Sequence, residues 1–170
     1  ALGHQIAAIF RAWGMSEAQI EPTVDVMLAA DIRGIDSHGA VMMTLYEDWH
    51  KAGLVTLDPE VKVVRQTPVT ALIDGDGGLG HYPSTVAMNL AMEKCAETGV
   101  GIVSVRNSNH YGAAGVYALW AAERGFIGVS STAVYGASVV PTFSAVPMFG
   151  TNPLAFAAPI FLTVLAGPVL

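Results

Sequence analysis

At 170 residues the chain is long enough for one domain with a real core and too short for two ordinary ones. Apolar residues make up 52% and charged residues only 13%, roughly half the usual globular share, so much of the surface is not expected to face water. A net charge of −6 with no basic cluster argues against nucleic acid, and the single cysteine, Cys95, excludes an intrachain disulfide framework and fits a reducing compartment.

The first elements read as helices. Ser16-Glu17-Ala18-Gln19 has capping-box spacing, and Val24, Met27, Leu28 and Ile32 follow a helical period toward Gly34. Pro22 predicts a kink there or a start later than Ser16. A second helix is expected from about His38 to Ala52, capped by Asp36 or Ser37 and ended by Gly53. Strands are expected at Val61–Val64 and Thr70–Ile73 on either side of a turn at Thr67-Pro68. A helix from Pro83 to Thr98, a strand at 101–106, a helix at 113–124 and a strand at Ile127–Thr132 complete a β-α-β-α-β series. The expected fold class is therefore α/β, with an N-terminal helical arm over residues 1–58 and an α/β domain over 59–159. Cys95 falls in a helical pattern as a small core residue.

From Gly125 to Leu170 there is no Asp, Glu, Lys or Arg, so this stretch is expected to lie in a core or against a partner. A membrane span needs about 20 uninterrupted apolar residues. Here Gly136, Pro141, Pro147, Gly150, Pro153, Pro159 and Pro168 keep breaking the run. The N-terminus shows no basic region followed by an apolar run, and the expected setting is the cytoplasm.

Chemistry concentrates in a polar loop, Asn107-Ser108-Asn109-His110-Tyr111-Gly112, at a strand-to-helix junction. Histidine titrates near neutrality, and the flanking amides and hydroxyls can fix its tautomer and hold a polar substrate. A surface or capping histidine is the plain alternative, but a second cluster, Asp36-Ser37-His38-Gly39, lies upstream. Those adjacent residues cannot form a hydrolase relay, and no nucleophile elbow is present. The five histidines show no H-x-x-x-H pair, so no metal site is expected. Gly75-Asp76-Gly77-Gly78-Leu79-Gly80 matches the dinucleotide fingerprint G-x-G-x-x-G between a strand and a helix. Asp74 and Asp76 would set carboxylates beside a pyrophosphate, and His81-Tyr82-Pro83 is expected to delay the helix. A glycine-rich turn with positive φ is the preferred reading, and a Rossmann-type binder using Gly75, Gly77 and Gly80 the alternative.

Together these clusters resemble the type-2 malate/L-lactate dehydrogenase family. The motifs that carry the resemblance are Ala30 to Gly39, Asp74 to Gly80, Val105 to Gly112 and Gly150-Thr151-Asn152-Pro153, in the family's order. The resemblance implies NAD- or NADP-dependent hydride transfer between a 2-hydroxy acid and its 2-oxo form. It also implies a mixed-sheet fold that is not a standard Rossmann domain, and a homodimer whose interface helps build the site. By motif position it implies His110 as the proton donor or acceptor, with His38 beside cofactor and substrate as its catalytic companion. Ser37, His38, Thr151 and Asn152 would be cofactor-side residues, although Asn152-Pro153 also suits a turn. Arg33, Ser108, Asn109 and Tyr111 would bind substrate.

Two departures from the family pattern stand out. Three positions beyond Gly39, where the family commonly carries a basic residue for the substrate carboxylate, this chain has Met42, and a thioether cannot form that bidentate pair. Arg33 or another residue would have to take over. After Pro159 the expected cofactor element is replaced by an apolar tail, residues 160–170, so the fold is expected to be incomplete at its C-terminal end. A catalytically incompetent family member serving as a dimerisation module is the second reading.

Overall fold

The computed structural model describes residues 1–134 and 136–159; the expectations for the tail at 160–170 lie outside the described residues. In chain order the elements are α1 (Leu2–Ala12), α2 (Glu17–Ile32), two 3₁₀ turns (Asp36–His38 and Ala40–Met42) and α3 (Met43–Lys51). Then follow β1 (Lys62–Gln66), β2 (Thr70–Gly78), α4 (His81–Thr98), β3 (Ile102–Ser108), α5 (Ala114–Glu123), β4 (Gly128–Ser131) and β5 (Leu154–Ala157).

The helix α2 runs through the middle of the molecule and is buried on two sides. Ile20, Val24 and Met27 join Ile6 and Phe10 of α1, Tyr46 of α3, and Val55, Leu57 and Leu79 in one core cluster. On the other side Val26 and Ala30 meet Ala113, Val116 and Tyr117 at the start of α5. Contact on both sides carries α2 through Pro22, which removes one backbone donor near the helix start. The packed stripe stops short of Ile32, which is 82% exposed, contrary to the helical period expected to include it.

The capping-box spacing at Ser16 is put to another use. Ser16 is the N-cap in extended backbone, without a side-chain cap bond. Its carbonyl accepts the Gln19 and Ile20 N–H groups. The Gln19 amide is buried and donates instead to Asp58 Oδ1 (3.2 Å) and the Pro59 carbonyl (3.1 Å), which ties the segment before β1 to α2.

Pairing in the first sheet is mixed. β1 is antiparallel to β2, and β2 is parallel to β3 with α4 as the crossover, in the order β1-β2-β3. Ala71 and Ile73 of β2 are buried beneath α4, while Asp74 pairs with Arg106 of β3 on the open face (3.0 Å). The strand does not stop at Ile73 as expected. It continues through the glycine-rich segment to Gly78, with broken register after Asp74 and left-handed backbone at Asp76 (φ 49°) and Gly77 (φ 71°).

The expected single β-α-β-α-β sheet resolves into two among the described residues. β4 leaves the first sheet and pairs antiparallel with β5, and α5 packs on this second pair. Among the described residues of the charge-free stretch, the large apolar side chains Phe143, Val146, Met148, Leu154 and Phe156 are all exposed rather than in the chain's own core. No helix among the described residues is long and apolar enough to cross a membrane.

Phe10 is fully buried and its ring lies 6.4 Å from that of Tyr46, so it supports α3 from below. Phe10→Ala is expected to lower folding stability by about 3–5 kcal/mol, measurable by urea denaturation. A loss under 1 kcal/mol would contradict this packing.

Candidate active site

Two backbone arrangements bring the two histidine clusters together. The first is at the end of α2, where Asp31 Oδ2 accepts the Ala40 N–H at 3.0 Å. The carboxylate lies so close to Gly39 that a Cβ there would sit 1.6 Å from Asp31 Oδ1. Asp31, rather than Asp36 or Ser37, therefore clamps the turn that carries His38, and the helix expected from His38 begins only at Met43. The second arrangement is at the end of β3. Asn109 N–H donates to the Gly78 carbonyl and Gly80 N–H donates to the His110 carbonyl, both at 2.8 Å. A side chain at Gly80 would come within 2.6 Å of Asn109 O and Tyr111 Cβ. The histidine loop is thus laid directly over the start of α4.

These constraints place the His38 and His110 rings 5.3 Å apart, both half-buried. Ser37 Oγ lies 2.8 Å from His38 Nδ1. Beneath them Tyr46, fully buried on α3, places its hydroxyl 2.7 Å from His110 Nδ1. A longer 3.4 Å contact joins the same hydroxyl to Nε2 of His81, the first residue of α4, which is also fully buried. Burial, and secondarily the neighbouring His38, push the His110 imidazole down to about 4. Burial and then His110 push His81 down to about 3. Burial drives the Tyr46 hydroxyl in the opposite direction, so it stays protonated. At neutral pH Tyr46, His81 and His110 therefore form an uncharged hydrogen-bonded set, with the half-open His110 ring able to accept or donate a proton at a bound polar ligand.

The other expected site residues are placed differently. Asn109 spends its amide on β2, donating to the Gly77 carbonyl at 2.7 Å. Ser108 packs its Cβ against Gly75 at the sheet edge. Tyr111 stacks on Tyr117 (5.2 Å, 9°) and has a buried hydroxyl with no hydrogen-bond partner among the described residues. Arg33 is exposed at the end of α2 and donates to the Ala29 carbonyl at 3.0 Å. Met42 packs on the first core cluster. Thr151 is exposed on the loop before β5. Asn152 has φ 40° and its Oδ1 accepts the Val134 N–H at 2.9 Å, a turn-holding arrangement.

The glycine-rich segment has a structural use for each of its charges. Asp76 Oδ2 accepts the Glu60 N–H, and Asp74 Oδ1 accepts the Asp76 N–H, both at 3.0 Å. The helix is not delayed, since α4 starts at His81 immediately after Gly80. Its N-terminus is nevertheless covered by the 109–111 segment, and Pro83 withholds one of the donors that would bind an anion. Among the described residues no three His, Cys, Asp or Glu side chains converge on a position that could hold a metal ion.

Sequence reasoning missed Asp31, Tyr46 and the role of His81. Asp31 stands inside the Ala30–Gly39 motif and His81 just after Gly80, but only the tertiary contact shows what they touch. Tyr46 lies in none, and an aromatic residue at helical spacing reads as plain core.

Comparison with known proteins gives the family and the fold. The family model described as malate/L-lactate dehydrogenase matches residues 1–163. A malate dehydrogenase of Pyrococcus abyssi is 47% identical over 146 residues, covering 86% of this chain and 40% of its own length. An L-sulfolactate dehydrogenase of Methanocaldococcus jannaschii is 38% identical over 152 residues, covering 89% and 44%. The solved malate dehydrogenase of Pyrococcus horikoshii OT3 superposes with a TM-score of 0.87 at 44% identity, over 93% of this chain and 45% of that one. The chain thus spans less than half the length of these relatives.

The low basicity of His81 and His110 has a consequence for stability. Unfolding restores both to ordinary imidazoles near 6.5, so below that pH the unfolded chain binds protons the folded one refuses. The two histidines' contribution to stability is full above pH 6.5 and is lost as the pH drops toward about 4 for His110 and about 3 for His81, by up to about tenfold in the folding constant per pH unit for each. Urea melts across this window are expected to show a slope that His110→Gln reduces by about one proton; an unchanged slope would remove His110 as a source.

Proposed function

The chain belongs to the malate/L-lactate dehydrogenase family, and from that premise we propose that its protein transfers a hydride between NAD(P) and a 2-hydroxy or 2-oxo acid, with His110 as the proton donor and acceptor. The observation that carries the reading is the half-open His110 ring, anchored at Nδ1 by buried Tyr46 and flanked by His38. In hydroxy-acid oxidation His110 takes the hydroxyl proton, and in oxo-acid reduction it returns one. A bound nicotinamide supplies or accepts the hydride. His38, oriented by Ser37, closes the site on the second side.

The described residues fit the reacting end of such a cofactor and not its diphosphate. A diphosphate needs free backbone N–H groups or cations, and the one glycine-rich candidate is covered by the loop that carries His110. We therefore read the dinucleotide as bound in a non-Rossmann manner, with Thr151 and Asn152 beside it. For the substrate carboxylate Met42 offers nothing, because it packs into the core. Arg33 uses part of its guanidinium fork on Ala29 and keeps other donors for an anion. Malate, sulfolactate and other hydroxycarboxylates acted on by relatives define the substrate class, without a choice among them. A homodimer in the cytoplasm completes the reading.

A second reading, a dimerisation module without turnover, is favoured by the exposed apolar side chains between Val139 and Phe156. Titration with NADH and NADPH, followed through the fluorescence of Trp13, Trp49 and Trp120, separates the two: saturable quenching supports the dehydrogenase and its absence the module. His110→Ala is expected to lower kcat by about 10²–10⁴-fold with cofactor affinity little changed. Unchanged turnover in that variant would sink the assignment of His110.

A further inference from the structure

The buried end of the site contains a group that the proton transfer above does not use. His81 is 0% exposed, its Nδ1 has no hydrogen-bond partner among the described residues, and its Nε2 faces the Tyr46 hydroxyl at 3.4 Å. On the other side of that hydroxyl, at 2.7 Å, is His110 Nδ1. We propose that His81 is a positioning residue that acts through Tyr46 to set the tautomer of His110.

Proton counting along the three groups leads to this. With both imidazoles neutral, His81, Tyr46 and His110 each carry one exchangeable proton, and only two arrangements use both contacts without leaving the buried Tyr46 O–H unpaired. In the first, His81 Nε2–H donates to the Tyr46 oxygen, the Tyr46 O–H donates to His110 Nδ1, and the His110 proton resides on Nε2. In the second every proton is reversed: His110 Nδ1–H donates to Tyr46, Tyr46 donates to His81 Nε2, and the His81 proton resides on Nδ1. The two arrangements have equal charge and differ in what is left unpaired.

The first leaves a bare lone pair at His81 Nδ1, and the second leaves an N–H there with no acceptor. A buried donor without an acceptor is the rarer and costlier defect. The first arrangement therefore prevails, and it holds His110 Nε2 as an N–H donor on the half-open side of the ring. A tyrosine alone would not make this choice, because its hydroxyl can donate or accept. The asymmetry comes from His81.

The consequence for catalysis rests on His110 meeting the substrate oxygen, as proposed above. A neutral Nε2–H donates a hydrogen bond to a carbonyl oxygen, which favours the 2-oxo form of the substrate in the resting site. Acting as a base toward the 2-hydroxy form requires all three groups to reverse.

The tautomer itself is measurable without substrate or turnover. Two-bond ¹H–¹⁵N correlation spectra of ¹⁵N-histidine-labelled intact protein at neutral pH report which ring nitrogen carries the proton, and His110→Gln identifies the resonance. The expected spectrum has His110 protonated on Nε2 and His81 on Nε2. In His81→Phe the Tyr46 hydroxyl loses its directing donor, and the His110 signals are expected to move to the average of a tautomer mixture. Tyr46→Phe is expected to produce the same averaging and covers the case in which the buried His81 variant does not fold. His110 found protonated on Nδ1 in the unmodified protein, or an unchanged tautomer in either folded variant, would overturn the proposal. Neither result bears on whether His110→Ala abolishes turnover, so the two readings fail separately.

Discussion

A hydroxyl at the bottom of an apolar core is the constraint on which this site depends. Tyr46 is fully buried among Phe10, Met27 and Leu79, and an unpartnered hydroxyl there would cost about 1–3 kcal/mol. Its partners come from two other elements, the loop after β3 and the first residue of α4. The core that orders α1, α2 and α3 thereby also fixes where His110 stands. The position of the His110 ring is thus set by packing several residues away.

The glycine-rich segment shows how one local pattern can serve different physics. A strand, a G-x-G-x-x-G run and a helix starting at once afterwards are all present. What decides the use of that geometry is the space in front of the helix, and the segment from Asn109 to Tyr111 fills it. Gly80 is needed because backbone meets backbone there: a Cβ at that position would stand 2.6 Å from the Asn109 carbonyl oxygen. The same small residues that would admit a phosphate elsewhere here admit a neighbouring loop.

Much of this was legible in the residues, and the limits have physical causes. Helices 83–98 and 113–124 and the early strands were readable because their periods and end signals agree. The polar histidine loop was readable because such residues rarely cluster without a reason. The His38 turn reads from sequence as a helix start because Asp36 and Ser37 stand directly before it, as caps stand before a helix. Only the tertiary contact reveals that Asp31 holds it. The departure of β4 from the first sheet was hidden for a related reason: pairing with β5 bridges more than twenty residues without regular pattern. Tyr46 and His81 were invisible as a pair because 35 residues separate them, and neither has a local signature of the other.

Depressed basicity and acid chemistry at one imidazole are compatible once ligand charge is included. His110 is neutral in the free site because burial and His38 both oppose a second proton. On the proposed function, a substrate carboxylate beside His110 would supply the missing counter-charge and favour its imidazolium. Proton uptake and anion binding then assist one another by the same factor, since linkage between two binding events is reciprocal. A site built this way stays uncharged, and so inexpensive to bury, until the ligand that needs the proton arrives. With Met42 in the place of a fixed cation, the proposed carboxylate is left to Arg33 and to the positive charge that His110 can acquire, which strengthens this coupling.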